Sequence, residues 1–345
     1  EQTYDTIILN WEGISSFDFK TYEILYDDEP IAMQNYQIID RYDHNFLASP
    51  LEEVLEITDL ELNQQYYFQI RAKDYNGNVS ELSEEITSIT APVIISDFIV
   101  IGQDNSSMLI WTAEVQSGNQ GFNVYRRTST SDYILIDSWE TNTVLAGASI
   151  PNLEYVYNDD SADNGRYFYY MISSVNEQGM EYFYESIVSC CPQPIFELWV
   201  SNSSATIMDT VAFSMNPYAS NSFDEYYDIE KGQPPPSDFV YSAFYEATWG
   251  QDGMYLAQET HSMFNPALYF KIWNLRISTD QLNELIEISV SSDYNENNGK
   301  LYLRDISTGQ IVNLVTDNMF FTATSSEFRS FTLYWGNLHP HVNFS

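Results

Sequence analysis

Three strand-like segments occur twice in the chain, in the same order and about a hundred residues apart. The first copies begin at Ile7, Phe19 and Tyr66, and their counterparts begin at Met108, Asn119 and Phe168. In the third segment, Tyr66, Phe68, Ile70 and Ala72 alternate with residues that face the other way. A period of two predicts β-strands with one face in a core, and this repeat length suits one small sandwich. We therefore predict two tandem β-sandwich domains, at residues 1–90 and 91–191.

Residues 192–345 do not continue this repeat, but they are also rich in strand-forming segments. The chain holds 27 Tyr and 20 Phe among its 345 residues, and aromatic side chains favour strands. Tight turns such as Asn76–Asn78 separate the segments. The predicted fold class is all-β, with three β-sandwich domains in tandem, of which the last is jelly-roll-like or Ig-like.

The first repeat has less sequence in front of its first strand than the second repeat has. Residues 95–102 precede the strand that ends at Trp111 and are long enough to form an additional strand. Only Glu1–Asp5 precede the matching strand, Thr6–Trp11. Two explanations stay open: the chain is trimmed from something longer, or a neighbouring copy supplies the missing strand. In the second case the first domain has an open sheet edge that accepts a strand.

The net charge of −37 arises from 50 acidic residues against 13 Lys and Arg. This balance argues against nucleic acid and anionic membrane surfaces as partners, since both require basic patches. The sequence also has no apolar run of the roughly 18 residues that would span a membrane. We expect a location outside the cell, where such acidity favours solubility. Any self-association has to overcome charge repulsion.

The residues of the first repeat resemble a fibronectin type III domain. A tryptophan closes the second strand at Trp11, and Tyr66 begins a segment of the form Y-x-F-x-I-x-A-x-D. Tyr66 occupies the position of that family's corner tyrosine, with Leu60 upstream. Residues 91–191 resemble the same family less closely, because Phe168 stands at the corner position. The resemblance implies the fold and is almost silent on function.

Residues 195–336 resemble a β-sandwich domain found near the C-terminus of large secreted bacterial proteins, often after fibronectin type III repeats. The matching residues are Phe223, Asp224, Tyr227, Asp228, Trp273, Leu303–Val312, Phe331 and Gly336. The resemblance implies a bacterial cell-surface or secreted protein. The sorting signal of those proteins is not seen here, which would fit its removal after export.

Catalytic patterns are not found in this sequence. The four histidines, at 44, 261, 339 and 341, lie in no recognisable nucleophile, zinc or phosphate-binding motif. Cys190 and Cys191 are adjacent in sequence. We interpret them as incidental thiols or a strained local disulfide, in preference to a cross-link to another chain. We predict a protein that is not an enzyme.

Two acidic loops are the candidate metal sites. The first offers Asp159, Asp160, Asp163 and Asn164, and the second offers Asp224 and Asp228. Clustered hard oxygen ligands suit Ca²⁺, although Asp and Asn are also the ordinary residues of turns. Calcium is therefore a predicted cofactor that competes with simple turn formation.

These observations predict a secreted, non-enzymatic structural protein, the subunit of an extracellular filament, sheath or surface layer. Assembly into a homopolymer by β-strand complementation is the expected mechanism. The candidate donors are residues 337–345 or Glu1–Thr6 of another copy. A first alternative is an adhesin that binds a glycan or cell-surface ligand through exposed tyrosines. A second is that these are accessory domains of a larger exported enzyme.

Overall fold

The computed structural model describes residues 2–3, 5–33, 36–250, 252–263 and 270–336. Within these ranges the regular structure is β-strand, with short 3-10 turns and no α-helix. The fold class is all-β, as predicted, and the sheets form tandem sandwich-like layers. No helix in the described part of the chain is long and apolar enough to cross a membrane.

Residues of the first repeat form two sheets, with strand orders β1-β2-β5 and β4-β3-β6-β7. The strands are β1 (Gln2–Thr3), β2 (Thr6–Asn10), β3 (Phe19–Asp27), β4 (Gln37–Ile39), β5 (Val54–Ile57), β6 (Gln65–Asp74) and β7 (Ile86–Ile89), with 3-10 turns at Ile31–Met33 and Asn45–Ala48. Tyr66 and Phe68 are buried, as their alternation predicts. The Glu61 amide donates a hydrogen bond to the Tyr66 hydroxyl at 3.0 Å, in the manner of a tyrosine corner.

The second repeat has the same two layers, with orders β12-β9-β8 and β11-β10-β13-β14, and β15 also pairs with β13. Its strands are β8 (Val93–Gln103), β9 (Ser106–Gln116), β10 (Asn119–Thr128), β11 (Ile134–Ser138), β12 (Leu153–Asp159), β13 (Phe168–Asn176), β14 (Glu181–Phe183) and β15 (Val188–Cys190), with a 3-10 turn at Thr143–Leu145. Trp111 is fully buried and meets Phe122 edge-on at 5.3 Å. Phe168 is buried while Tyr167 is exposed, so neither residue supplies a corner hydroxyl.

The C-terminal region forms one continuous sheet around a core, with the order β24-β23-β26-β21-β19-β20-β17-β16-β22-β25 and β18 paired to β20. Its strands are β16 (Ile195–Asn202), β17 (Met208–Asn216), β18 (Ile229–Glu230), β19 (Val240–Glu246), β20 (Met254–Ser262), β21 (Lys271–Thr279), β22 (Leu285–Val290), β23 (Lys300–Asp305), β24 (Ile311–Asn313), β25 (Met319–Thr322) and β26 (Arg329–Gly336), with a 3-10 turn at Glu296–Asn298. Leu301 of β23 and Ile288 of β22, from distant parts of the order, share one core with Trp273. The pairing of β17 with β20 is parallel.

The chain divides into two compact units. The first comprises Glu1–Val100, Leu109–Tyr157 and Tyr169–Val188, and the second comprises Ile101–Met108, Asn158–Phe168 and Ser189–Ser345. The division does not test the three predicted domain ranges, which remain a prediction. Each candidate site lies within one unit.

Candidate functional site

Strand β2, in the first unit, pairs along one edge with β5 as far as Asn10, which lies opposite Val54. Just beyond, the Trp11 amide donates to the Glu53 carbonyl at 3.0 Å, so the main-chain groups of Trp11 point toward the chain that forms β5. Main-chain groups point alternately to the two edges of a strand. Those of Asn10 therefore point away from β5, toward the opposite edge of β2.

On that opposite edge, the only strand pairing among the described residues is with β1. It consists of Gln2 opposite Ile7 and Thr3 opposite Thr6. In the second repeat, the place next to β9 is occupied by β8, a strand of 11 residues. The first repeat thus has a two-residue strand where the second has a long one. An unpaired edge of this kind is a template for an additional extended chain.

A groove of about 260 Å³ lies beside this edge, and we call it the edge groove. It lies between the end of β2 on one side and β6 with β7 on the other. Apolar side chains dominate its lining: Leu9, Trp11, Ile24, Phe68, Ile70 and Ile86. Glu84 is the only ionisable residue among the described residues that line it. The groove is therefore an apolar surface on a strongly acidic chain.

Ile86 leaves 54% of its surface exposed at the edge groove, although β-branched apolar side chains are usually buried. Trp11 packs edge-on against Tyr22 at 5.4 Å and is only partly buried. Its Nε1 has no hydrogen-bond partner in the described part of the chain. The equivalent Trp111 also lacks such a partner, so the orphan donor is a property of the repeat and not a sign of a ligand.

The wall of the edge groove formed by β6 is completed by serine hydroxyls. The Ile70 amide donates to Ser83 Oγ at 3.0 Å, and the Ala72 amide donates to Ser80 Oγ at 3.0 Å. These hydroxyls satisfy main-chain groups that a regular neighbouring strand would otherwise pair. The irregular segment in front of β7 thus satisfies these amides of β6 within the protein, whereas β1 pairs with only two residues of β2 among the described residues.

The first predicted calcium loop directs its oxygens to protein partners. Asp159 is buried and accepts hydrogen bonds from the Ser161 amide and hydroxyl, at 3.1 and 2.7 Å. Asn164 donates to Asp104 Oδ1 at 2.6 Å. Asp163 faces Arg166 at 3.6 Å, and both side chains are exposed. Asp160 is exposed beside them.

The second predicted calcium loop is also held by hydrogen bonds. Asp228 is buried and accepts from the amides of Thr260 and Asp224, both at 2.8 Å. Burial raises the pKa of Asp228. Asp224 accepts from the Tyr226 amide at 3.2 Å. Across the described ranges no three His, Cys, Asp or Glu side chains are grouped so as to hold a metal, and calcium binding stays a prediction for both loops.

A buried acid and imidazole lie in the second unit, a pairing that sequence reasoning missed. Glu259 is 0% exposed, its Oε1 lies 2.6 Å from His261 Nε2, and its Oε2 has no partner among the described residues. Burial raises the pKa of Glu259. His261 packs on Trp273, with 4.5 Å between ring centroids. The histidines at 339 and 341 lie outside the described residues.

The adjacent cysteines are both buried free thiols in this structure. Cys190 Sγ lies 3.2 Å from the Ser107 hydroxyl, and burial raises the pKa of Cys190 to about 11. A thiol with so high a pKa is a poor nucleophile at neutral pH. The pair therefore behaves as packing residues within the second unit.

Comparisons with known proteins give structural likeness alone. No family model matches the chain, and no curated protein matches it. A structure of chicken CNTN1 domains FN1 to FN3 aligns at 12% identity with a TM-score of 0.27, covering 56% of this chain and 64% of that one. A two-domain fibronectin type III segment of chicken tenascin aligns at 16% identity with a TM-score of 0.24, covering 55% and 92%. Scores this low carry no argument, so the fold class rests on the strands themselves.

Proposed function

We propose that the protein is a non-enzymatic structural subunit outside the cell, which assembles into a homopolymer by β-strand complementation. The observation that supports this most is the edge of β2, where β1 supplies two residues and an apolar groove follows. In strand complementation, main-chain hydrogen bonds provide affinity and alternate side chains fill pockets. The edge groove offers both features side by side.

The donor we propose is the segment of residues 337–345 from a second copy. Its sequence alternates, with Leu338, Pro340, Val342 and Phe344 apolar and the residues between them polar. This period of two would place four apolar side chains on the face toward the groove. Pro340 has no amide hydrogen, so its nitrogen has to lie on the unpaired side of the donor strand. The segment itself lies outside the described residues.

Charge also favours this donor. Residues 337–345 contain two histidines and no acidic residue, whereas the whole chain carries a net charge of −37. Main-chain pairing does not depend on side-chain charge, and an uncharged strand adds little repulsion when it approaches an acidic neighbour. The interface between copies would therefore join two of the least acidic surfaces of the subunit.

The test is a proline scan of the two edges of one sheet. Asn10→Pro removes a main-chain donor that points to the edge groove, while its cross-strand neighbour Val54→Pro alters the opposite edge, away from β2. Proline at such outward positions leaves the β2–β5 ladder intact. We expect the native chain and Val54→Pro to assemble in light scattering and electron microscopy, and Asn10→Pro to remain monomeric.

A donor variant completes the test. Val342→Asp with Phe344→Asp should abolish assembly, and a synthetic peptide of residues 337–345 should compete with it. If this variant assembles while Asn10→Pro does not, Glu1–Thr6 is the donor. Equal assembly of Asn10→Pro and Val54→Pro, or a native chain that stays monomeric at high concentration, would overturn the proposal.

A further inference from the structure

A second concave site lies in the second unit, and we call it the amide pocket. It has a volume of about 350 Å³, within the roughly 300–1,000 Å³ range of small-molecule sites. Every lining residue belongs to the second unit. Its carboxamide and aromatic lining consists of Gln103, Gln193, Asn216, Tyr226, Tyr227 and Gln258. They come from distant parts of the sequence, so the fold alone brings them together.

Four carboxamide side chains converge on this pocket, and contacts within the protein use only part of their hydrogen-bonding capacity. Asn216 is fixed, since its Nδ2 donates to the Gly102 carbonyl at 3.2 Å and its Oδ1 accepts from the Tyr218 amide at 2.9 Å. Gln258 Nε2 donates to the Tyr227 carbonyl at 2.9 Å. Within the described residues, no group donates to the amide oxygen of Gln258.

Gln193 is nine-tenths buried, yet its only protein partner in the described ranges is a sulfur atom. Its Nε2 donates to Cys191 Sγ at 3.2 Å, and sulfur is a weak acceptor. Its amide oxygen has no donor among the described residues and is not fully enclosed, so it retains access to the pocket that Gln193 lines. A buried carboxamide held in this way is costly unless water or a ligand completes its hydrogen bonds.

Two tyrosines give the pocket an aromatic rim and wall. Tyr226 is 46% exposed and presents its ring at the opening, while Tyr227 is buried. An exposed aromatic ring beside hydrogen-bonding groups suits a ligand with one apolar face and a polar perimeter. Sugar rings have this character, because axial C–H groups form a face and hydroxyls surround it.

The charge of the pocket narrows the ligand class further. Among the described residues of the lining, Asp104 is the only ionisable one apart from the tyrosines. Its Oδ1 already accepts from Asn105 and Asn164 at 2.9 and 2.6 Å. No lysine or arginine of the described ranges lines the pocket. An anionic ligand is disfavoured, because it would lack a counter-charge on a chain of net charge −37. A metal ion is disfavoured as well, because the pocket offers it a single carboxylate.

We propose that the amide pocket binds a neutral saccharide unit. Carboxamides both donate to and accept from sugar hydroxyls, and Tyr226 stacks on the ring. The modest volume suits one or two sugar residues, with the remainder of a glycan extending past Tyr226 into solvent. This site is separate from the edge groove and does not depend on assembly.

The experiment is a screen of the full chain on an array of neutral and sialylated glycans, followed by calorimetry with the best neutral oligosaccharide. Gln258→Leu removes one carboxamide, while the Tyr227 carbonyl keeps the hydrogen bond from Thr260 Oγ1 at 3.0 Å. Tyr226→Ala removes the exposed ring, and the exposed Tyr42→Ala, in the first unit, is the matched control.

We expect neutral glycans to bind, with at least a tenfold loss of affinity for Gln258→Leu and Tyr226→Ala and no change for Tyr42→Ala. Circular dichroism melting checks that the variants are folded. If Gln258→Leu does not fold, Tyr226→Ala still tests the proposal. The proposal is overturned if no neutral glycan binds, if sialylated glycans bind preferentially, or if a folded Tyr226→Ala variant binds normally.

Discussion

Removing the positive charge of Arg329 should destabilise the second unit by an amount that the geometry of Asp305 allows us to work out. Asp305 ends β23, is 1% exposed, and forms an ion pair with Arg329. It also accepts from the Ser307 amide and hydroxyl and from the Thr308 hydroxyl, at 2.9, 2.7 and 2.8 Å. Burial alone would raise the pKa of Asp305, but the hydrogen bonds from Arg329, Ser307 and Thr308 lower it to about 2.

The lowered pKa gives both a magnitude and a pH window. A change from 3.8 to about 2 corresponds to roughly 2–3 kcal/mol, at about 1.4 kcal/mol per pKa unit. Because the folded pKa of this acid is lowered, its contribution is fully present above pH 3.8 and is lost as the pH falls toward 2. Arg329→Met removes only the part of this lowering that Arg329 causes, since the bonds from Ser307 and Thr308 remain, so we expect a cost of at most about 2–3 kcal/mol at neutral pH.

Hydrogen exchange of peptides that cover β23 and β26 measures this unit separately from the first. Methionine provides an apolar side chain at this position, although the variant also loses the contact of the guanidinium carbon with the Phe321 ring, whose centroid lies 4.7 Å away. The exposed pair Arg166–Asp163 provides the control, and Arg166→Met should change the free energy of unfolding by less than about 0.5 kcal/mol. The reasoning fails if Arg329→Met costs no more than this control, or if the native chain and Arg329→Met lose stability equally between pH 4 and 2.

Three further predictions concern single buried groups. Burial raises the pKa of Glu259, so its contribution to stability falls as the pH rises above the ordinary glutamate value of 4.5. The Glu259→Gln variant should therefore melt at a higher temperature than the native chain at pH 8 but not at pH 5. An equal change in melting temperature at both pH values would contradict this. Tyr66→Phe loses the hydrogen bond from the Glu61 amide and should cost about 1 kcal/mol in urea unfolding, whereas a neutral effect would mean that the corner does not stabilise this domain. Cys190, with its pKa raised to about 11, should react with a thiol reagent at pH 8 only as fast as the second unit opens; rapid reaction of the native protein would show an accessible thiol.

Much of the first two domains could be predicted from local patterns. Alternation predicted that Tyr66 and Phe68 face the core, and both are buried. The sequence of residues 305–310, with Gly309 in it, is typical of a hairpin turn, and β23 and β24 pair across it. These features depend on neighbours in sequence, for which period and turn chemistry are sufficient signals.

The third domain and the amide pocket were less predictable because they depend on long-range pairing. In the parallel ladder of β17 with β20, Gln258 lies opposite Ala212, and Asn216 lines the same pocket from four residues further along β17. No periodicity encodes that choice of partner strand. Gln193 and Tyr226 join them from separate loops. Four glutamine and asparagine side chains scattered over this range carry no signal in sequence, whereas the acidic loops at Asp159 and Asp228 stand out by composition alone.

Several basic residues pair with buried carboxylates and are therefore not free to pair with acidic groups of another copy. Glu23, with 4% of its side chain exposed, holds Arg71 and Lys73 at 2.7 and 2.6 Å, and Arg329 serves Asp305 in the same way. Copies should therefore repel at low salt, where the Debye length is about 30 Å, and much less at 0.15 M, where it is about 8 Å. If main-chain pairing joins the copies, assembly should become faster as salt is raised from about 0.01 to 0.15 M, and Asn10→Pro should fail to assemble at both. Assembly that weakens with salt would mean that ion pairs, and not an added strand, hold the copies together.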